Sequence, residues 1–175
     1  YCVDAISSLG PLVPAALGHA CALVSLPDKR RRNVIQKLRE AKVTVIALPY
    51  TNLFLQDRSR RAMRRRGLTA ISELADAGVA LRLGSDNVRD AFFPFGDGDL
   101  LEVAFLAVIV AQLSDPAAIV PAICAGKTRI AEDEEANFVL IPGQSLTEVL
   151  SLRPQPRYVF HRGMLTSEPS FPLDL

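Results

Sequence analysis

Val43–Leu48 reads VTVIAL, a run of β-favouring residues with almost no alternation between apolar and polar positions. A strand with one wet face alternates with period two, whereas an unbroken apolar run belongs to a strand covered on both sides. Such strands occur chiefly in parallel sheets crossed over by helices, which confines the chain to α/β architecture. The neighbouring segments fit. Val13–Leu17 reads as a strand ending at Gly18-His19, and Asp28 as the N-cap of a helix reaching about Lys42, with Val34, Ile35 and Leu38 on one face. Pro49–Gly67 reads as a long loop and Leu68–Ala77 as a helix stopped by Gly78, before a third strand, Val79–Leu83. Asp99 is placed to cap a helix over Leu100–Leu113, and Asp115-Pro116 to start another reaching about Ala125. This is strand-helix repeated through two and a half βα units. Ala136–Ile141, a helix-like Ser145–Leu152 and Arg157–Phe160, with a turn at Arg162-Gly163, read as a small β element that follows.

The polarity of a parallel sheet gives these strands a functional end. Ligands and catalytic groups gather at the C-terminal edge. Val79–Leu83 runs into Gly-Ser-Asp-Asn, which puts Asp86 at that edge, and the first strand runs into His19. A carboxylate and an imidazole facing one cavity suit a divalent metal or a pair that orients a hydrolytic water. The same two residues also fit a hydrogen-bonded structural histidine and a turn aspartate, because two donors do not make a metal site.

Composition narrows the partners. With 175 residues, 22% charged residues and a net charge of +1, the chain offers no general electrostatic attraction to nucleic acid or membrane. Arg58, Arg60, Arg61, Arg64, Arg65 and Arg66 form a local basic cluster, but only Phe54 lies near enough in sequence to stack a base. A solvated loop, or one that anchors a neighbouring subunit, is the simpler expectation, and no nucleic-acid partner is expected. The three cysteines, Cys2, Cys21 and Cys124, form no CxxC pattern and fit a reduced, cytoplasmic setting. The apolar stretch Leu100–Leu113 carries Glu102 and is too short to span a bilayer.

Several stretches, in order, resemble the amidohydrolase superfamily, and within it the cytosine deaminases. GHACAL at Gly18–Leu23 is similar to the SHxxxL element. PYTNLFLQDR at Pro49–Arg58 resembles PxxNxxLQxR, and RRGLTAISELADAGVALRLGSDNVRDAFFPFGDGD continues into the RGxxxxxxLxxxGxxVxxGxDNVxDxxxPxG pattern. ANFVLI and RYVFHRGM are similar to the closing strands.

The resemblance implies the C-terminal part, strands six to eight, of a TIM (β/α)₈ barrel with a small appended β element, divided into residues 1–130 and 131–175. It implies a divalent metal ion, zinc or iron, in the complete enzyme, a bound hydroxide attacking a cyclic amidine or amide, and release of ammonia or an amine. Asp86 takes the place of the metal-binding aspartate and base, and His19 that of the histidine over the reacting group. Asn87 and Phe92 stand at substrate-pocket positions, and Asn52 and Gln56 read as positioning groups, for the loop rather more than for substrate. The family's HxH pair, its further metal-binding histidine and its HxxE glutamate have no counterpart in this chain, whose other histidine, His161, reads as a surface residue. The expectation is therefore a segment of a hydrolase that is inactive alone, exposes unpaired sheet edges, and forms a homo-oligomer or pairs with a missing N-terminal half. An interaction-only remnant is the alternative.

Overall fold

The computed structural model of the chain describes residues 2–8, 14–59, 67–155 and 157–167. They divide into two compact units, Tyr1–Lys127 and Thr128–Leu175.

The first unit opens with a helix that sequence patterning did not anticipate, α1 (Cys2–Ser8), followed by strand β1 (Ala16–Gly18) and a 3₁₀ turn over Cys21–Ser25. Helix α2 (Asp28–Glu40) leads to strand β2 (Thr44–Ala47). Pro27, not Asp28, holds the N-cap, so Asp28 lies in the first turn, where its charge favours the helix dipole. Helices α3 (Pro49–Leu55) and α4 (Ile71–Asp76) come before strand β3 (Leu81–Leu83). The expected long loop over Pro49–Gly67 is thus corrected. Pro49 starts a helix, its fixed φ and missing N–H being harmless at the first helical position. Of the basic cluster, Arg58 is described; Arg60, Arg61, Arg64, Arg65 and Arg66 lie outside the described residues.

The three strands form a parallel sheet in the order β1-β2-β3. Gly18 pairs with Ile46, and Ile46 with Arg82. This register sorts the side chains onto two faces. Val45, Ala47, Leu81 and Leu83 are buried, while Thr44, Ile46 and Arg82 are half-buried and Ala16 and Gly18 exposed. The expectation that the VTVIAL strand is covered on both sides is therefore corrected: among the described residues no second layer buries the Ile46 face.

On the covered side the core gathers Leu38, Val43, Val45, Leu74 and Ile119. Helix α5 (Leu100–Val110) contributes Leu101, Val103, Ala104 and Ala107 and starts, as expected, at Asp99, whose carboxylate accepts the Leu101 N–H at 2.9 Å. Asp115 does the same for Ala117, opening a 3₁₀ turn (Pro116–Ile119) that runs into the short helix α6 (Val120–Ile123). Among the described residues no helix is long and apolar enough to cross a membrane.

The second unit is an antiparallel sheet of β4 (Phe138–Leu140), β5 (Tyr158–His161) and β6 (Met164–Ser167), with helix α7 (Leu146–Leu152) between β4 and β5. Phe138 and Phe160 are register partners and stack at 4.7 Å. Ser145 caps α7 through the Glu148 N–H.

Candidate active site

The C-terminal ends of the parallel strands supply the candidate site. The ladder runs one residue beyond β1: the His19 N–H donates to Ile46 O at 2.9 Å. The chain then turns sharply, with His19 at φ 62° and Ala20 at φ 51°, both left-handed. At the tip of β3, Gly84 N–H donates to Ala47 O, and two residues later Asp86 is left-handed as well, at φ 59°. Left-handed non-glycine residues also stand at ordinary helix ends here, such as Lys42, Gln112 and Arg153, so these angles describe the sharpness of the turns and not their role.

These turns bring the two residues singled out in the sequence together. His19 Nε2 lies 3.7 Å from Asp86 Oδ2, with the imidazole half-exposed and the aspartate side chain 27% exposed. The gap is too long for a direct hydrogen bond. One donor can nevertheless serve both atoms, since normal donor–acceptor separations are about 2.7–3.2 Å.

The imidazole is held from behind. Asn52 Oδ1 lies 2.8 Å from His19 Nδ1, and Asn52 itself is 3% exposed. It sits on α3, which leaves β2 immediately beside β1, so strand order delivers it to His19. Buried Thr69, just before α4, donates its hydroxyl to the His19 carbonyl. The Asn52 Nδ2 and Thr51 Oγ1 atoms are buried without a hydrogen-bond partner among the described residues. Gln56 serves its loop, as the sequence suggested: its carboxamide lies where a Cβ on Gly67 would stand and hydrogen-bonds the Cys21 thiol. Burial pushes the pKa of that thiol up, the Gln56 bond opposing it, so Cys21 is a poor nucleophile.

The segment after Asp86 folds around one carboxylate. Asp90 accepts the N–H groups of Phe92 and Phe93, each at 2.8 Å, and the Asn87 carboxamide. The Asn87 bond, followed by that of Phe93, holds the Asp90 carboxyl below the usual carboxylate range. Asn87 thus spends its amide on this turn while lining a shallow depression with Tyr50 and Phe93. Phe92, the aromatic picked from the sequence for a substrate pocket, is 66% exposed and does not line that depression. Its neighbour Phe93 is 5% exposed and meets Tyr50, Phe54 and Phe95 edge to face, with Arg58 over the Phe54 ring at 4.8 Å.

His161 lies in the second unit and is exposed, as expected, with Nδ1 2.7 Å from Asn137 Oδ1. Among the described residues no group of three or more His, Cys, Asp or Glu side chains is placed to hold a metal ion. A zinc centre takes three or four protein donors. His19 and Asp86 supply at most two, so they do not fit a metal by themselves.

Comparison with known proteins gives the context. The chain is 36% identical over 157 residues to a pterin deaminase of Rhizobium rhizogenes, covering 83% of this chain and 36% of that protein. Its fold matches 5-methylcytosine deaminase from Klebsiella pneumoniae with a TM-score of 0.82 at 18% identity, covering 97% of this chain and 44% of that structure. It also matches N-isopropylammelide isopropylaminohydrolase from Burkholderia multivorans, with a TM-score of 0.73 at 21% identity, over 95% of this chain and 42% of that one. No family model matches. The chain spans less than half the length of each of these relatives.

Proposed function

We propose that this chain, a cytosine-deaminase-like member of the amidohydrolase superfamily covering part of such an enzyme, supplies the Asp86–His19 half of an active site that hydrolyses a C–N bond. The substrate class is a cyclic amidine or amide, from which ammonia or an amine leaves. In this reading β1, β2 and β3 are staves six to eight of a (β/α)₈ barrel carried by residues 1–130, and residues 131–175 form the appended β element. The observation that carries it is the 3.7 Å approach of His19 Nε2 to Asp86 Oδ2 at the C-terminal edge of a parallel sheet.

In the reaction, a water oxygen adds to the carbon bearing the amino group and the C–N bond breaks. The carbon keeps the oxygen, and the leaving nitrogen departs with a proton. Asp86 is the general base that takes the proton from the attacking water, and His19 faces the reacting centre. Asn87 lies beside them, one residue after Asp86, and Phe92 offers an exposed aromatic face. The zinc or iron of the family supplies a more acidic water when bound. Its remaining donors belong to the portion of the relatives' length that this chain does not span.

The test is complementation. The purified chain, with zinc or iron added, releases no ammonia from cytosine, pterin or related cyclic substrates above a chelator-treated control. Co-expression with the N-terminal portion of a relative restores release, and Asp86→Asn abolishes it. Activity of the chain alone that survives Asp86→Asn would overturn the reading.

A further inference from the structure

We propose that Asn52 is the positioning residue for His19: its buried carboxamide oxygen holds Nδ1–H, fixing the ring so that Nε2, with its lone pair in the neutral imidazole, faces Asp86. This deepens the proposed function and rests on its assignment of His19 and Asp86 to the reaction.

Three observations converge. First, the His19 backbone is pinned at both ends of the residue, its N–H by Ile46 O and its carbonyl by the Thr69 hydroxyl. Only rotation about the side-chain bonds is left, and the 2.8 Å bond to Asn52 removes it. Second, Asn52 makes no other side-chain hydrogen bond among the described residues, since its Nδ2 is buried without a partner. Burying an amide half-satisfied is unfavourable, so neither packing nor the stability of α3 explains an asparagine at 52. The single bond to His19 does. Third, a carbonyl oxygen only accepts, so it dictates which ring nitrogen carries the proton. With Nδ1–H engaged, the neutral ring presents Nε2 to Asp86 as an acceptor opposite an acceptor. A single donor can then serve both atoms, which is the position an attacking water takes.

The chain's two histidines make the test direct. His161 is the built-in reference: Asn137 gives Nδ2 to Glu135 and accepts the Arg162 N–H at Oδ1, so its oxygen is the atom facing His161 Nδ1. Nitrogen NMR of the isotope-labelled-histidine protein at about pH 9, above the usual imidazole pKa of ~6.5, reads the neutral tautomers. The signals are assigned with His161→Gln.

The expected result is Nδ1–H at His19, unchanged in Asn52→Asp and shifted toward Nε2–H, the form a free imidazole prefers, in Asn52→Leu. Aspartate offers an oxygen whichever way it turns. A tautomer that switches between the native protein and Asn52→Asp therefore means that the native amide presents Nδ2, and overturns the proposal. So does Nε2–H in the native protein, or a tautomer unmoved by Asn52→Leu. Should Asn52→Leu not fold, the native and aspartate spectra decide alone. If His19→Ala leaves the complemented enzyme fully active while His19 is Nδ1–H, the function reading fails and the positioning stands. The opposite pair of results removes the positioning alone.

Discussion

The chain contains the same small device twice, an imidazole Nδ1 against an asparagine oxygen, and the two copies differ in everything around it. At His161 the asparagine is exposed and saturated: Asn137 also bonds Glu135 and the Arg162 N–H, while Arg162 pairs with Glu135 at 3.3 Å on the surface. The bond there stitches a hairpin turn. At His19 the asparagine is buried and half-satisfied, and the second ring nitrogen faces a carboxylate. One copy optimises local hydrogen bonding, and the other forgoes it to aim a ring. A histidine's hydrogen bond therefore says little about its role until the environment of the other nitrogen is known.

The largest effect expected from that contrast is on turnover. In the complemented enzyme, Asp86→Asn or His19→Ala lowers the rate of ammonia release by ~10²–10⁴-fold, the span typical of general acid–base groups, while His161→Ala leaves it unchanged. Equal losses at both histidines would erase the distinction.

Next in size is the anchoring of the segment that carries Asp86. Phe93→Ala removes a ring enclosed by Tyr50, Phe54 and Phe95 and costs about 3–5 kcal/mol in denaturant unfolding. Phe92→Ala, at the exposed neighbour, stays within ~0.5 kcal/mol.

The two asparagines then respond with opposite signs. Asn137→Ala gives up several bonds of about 0.5–1.5 kcal/mol each, discounted for exposure, and lowers stability by ~1 kcal/mol. Asn52→Leu loses one bond but also removes a buried orphan donor that costs about 1–3 kcal/mol, so thermal stability holds or rises. A melting comparison of the two variants checks the signs.

The smallest effect concerns pH. The Asp90 carboxyl is held low by the Asn87 amide and the N–H groups of Phe93 and Phe92. Its folded pKa lies below its unfolded one, so the stabilisation is fully present above the ordinary value of ~3.9 and fades as pH falls through the lowered folded value. The amide signals of Phe92 and Phe93 should hold steady down to about pH 4 and move only below it, whereas those of the His161 turn have no reason to follow Asp90.

Much of the scaffold was legible because its signals are local. Asp99 and Asp115 cap where cap chemistry places them, and the VTVIAL run gives β2. Pro49 misled because a proline that opens a helix reads like one that forbids it. The one-sided burial of β2 was invisible because an apolar run does not say whether its second cover lies within the same chain. His19 and Asp86 were found together because strand polarity alone places both at one edge. Asn52 reads from sequence as a positioning group, but its partner stays hidden, since the contact with His19 depends on the pairing of Gly18 with Ile46, a fact of register that spacing does not encode. That Phe93, and not Phe92, is the buried ring depends likewise on which of two adjacent rings turns toward α3.

The hydrogen bond from the His19 amide to Ile46 makes the candidate catalytic residue a rung of the sheet itself. β1 is three residues long and, among the described residues, pairs with β2 alone. Fraying of that outer strand and displacement of the imidazole are therefore one event, not two. Whatever lies along the outside of β1 acts as a clamp on site geometry without touching the reacting groups. The deuterium-exchange rate of this one amide is the clock on which its grip can be read, slowing as the clamp closes.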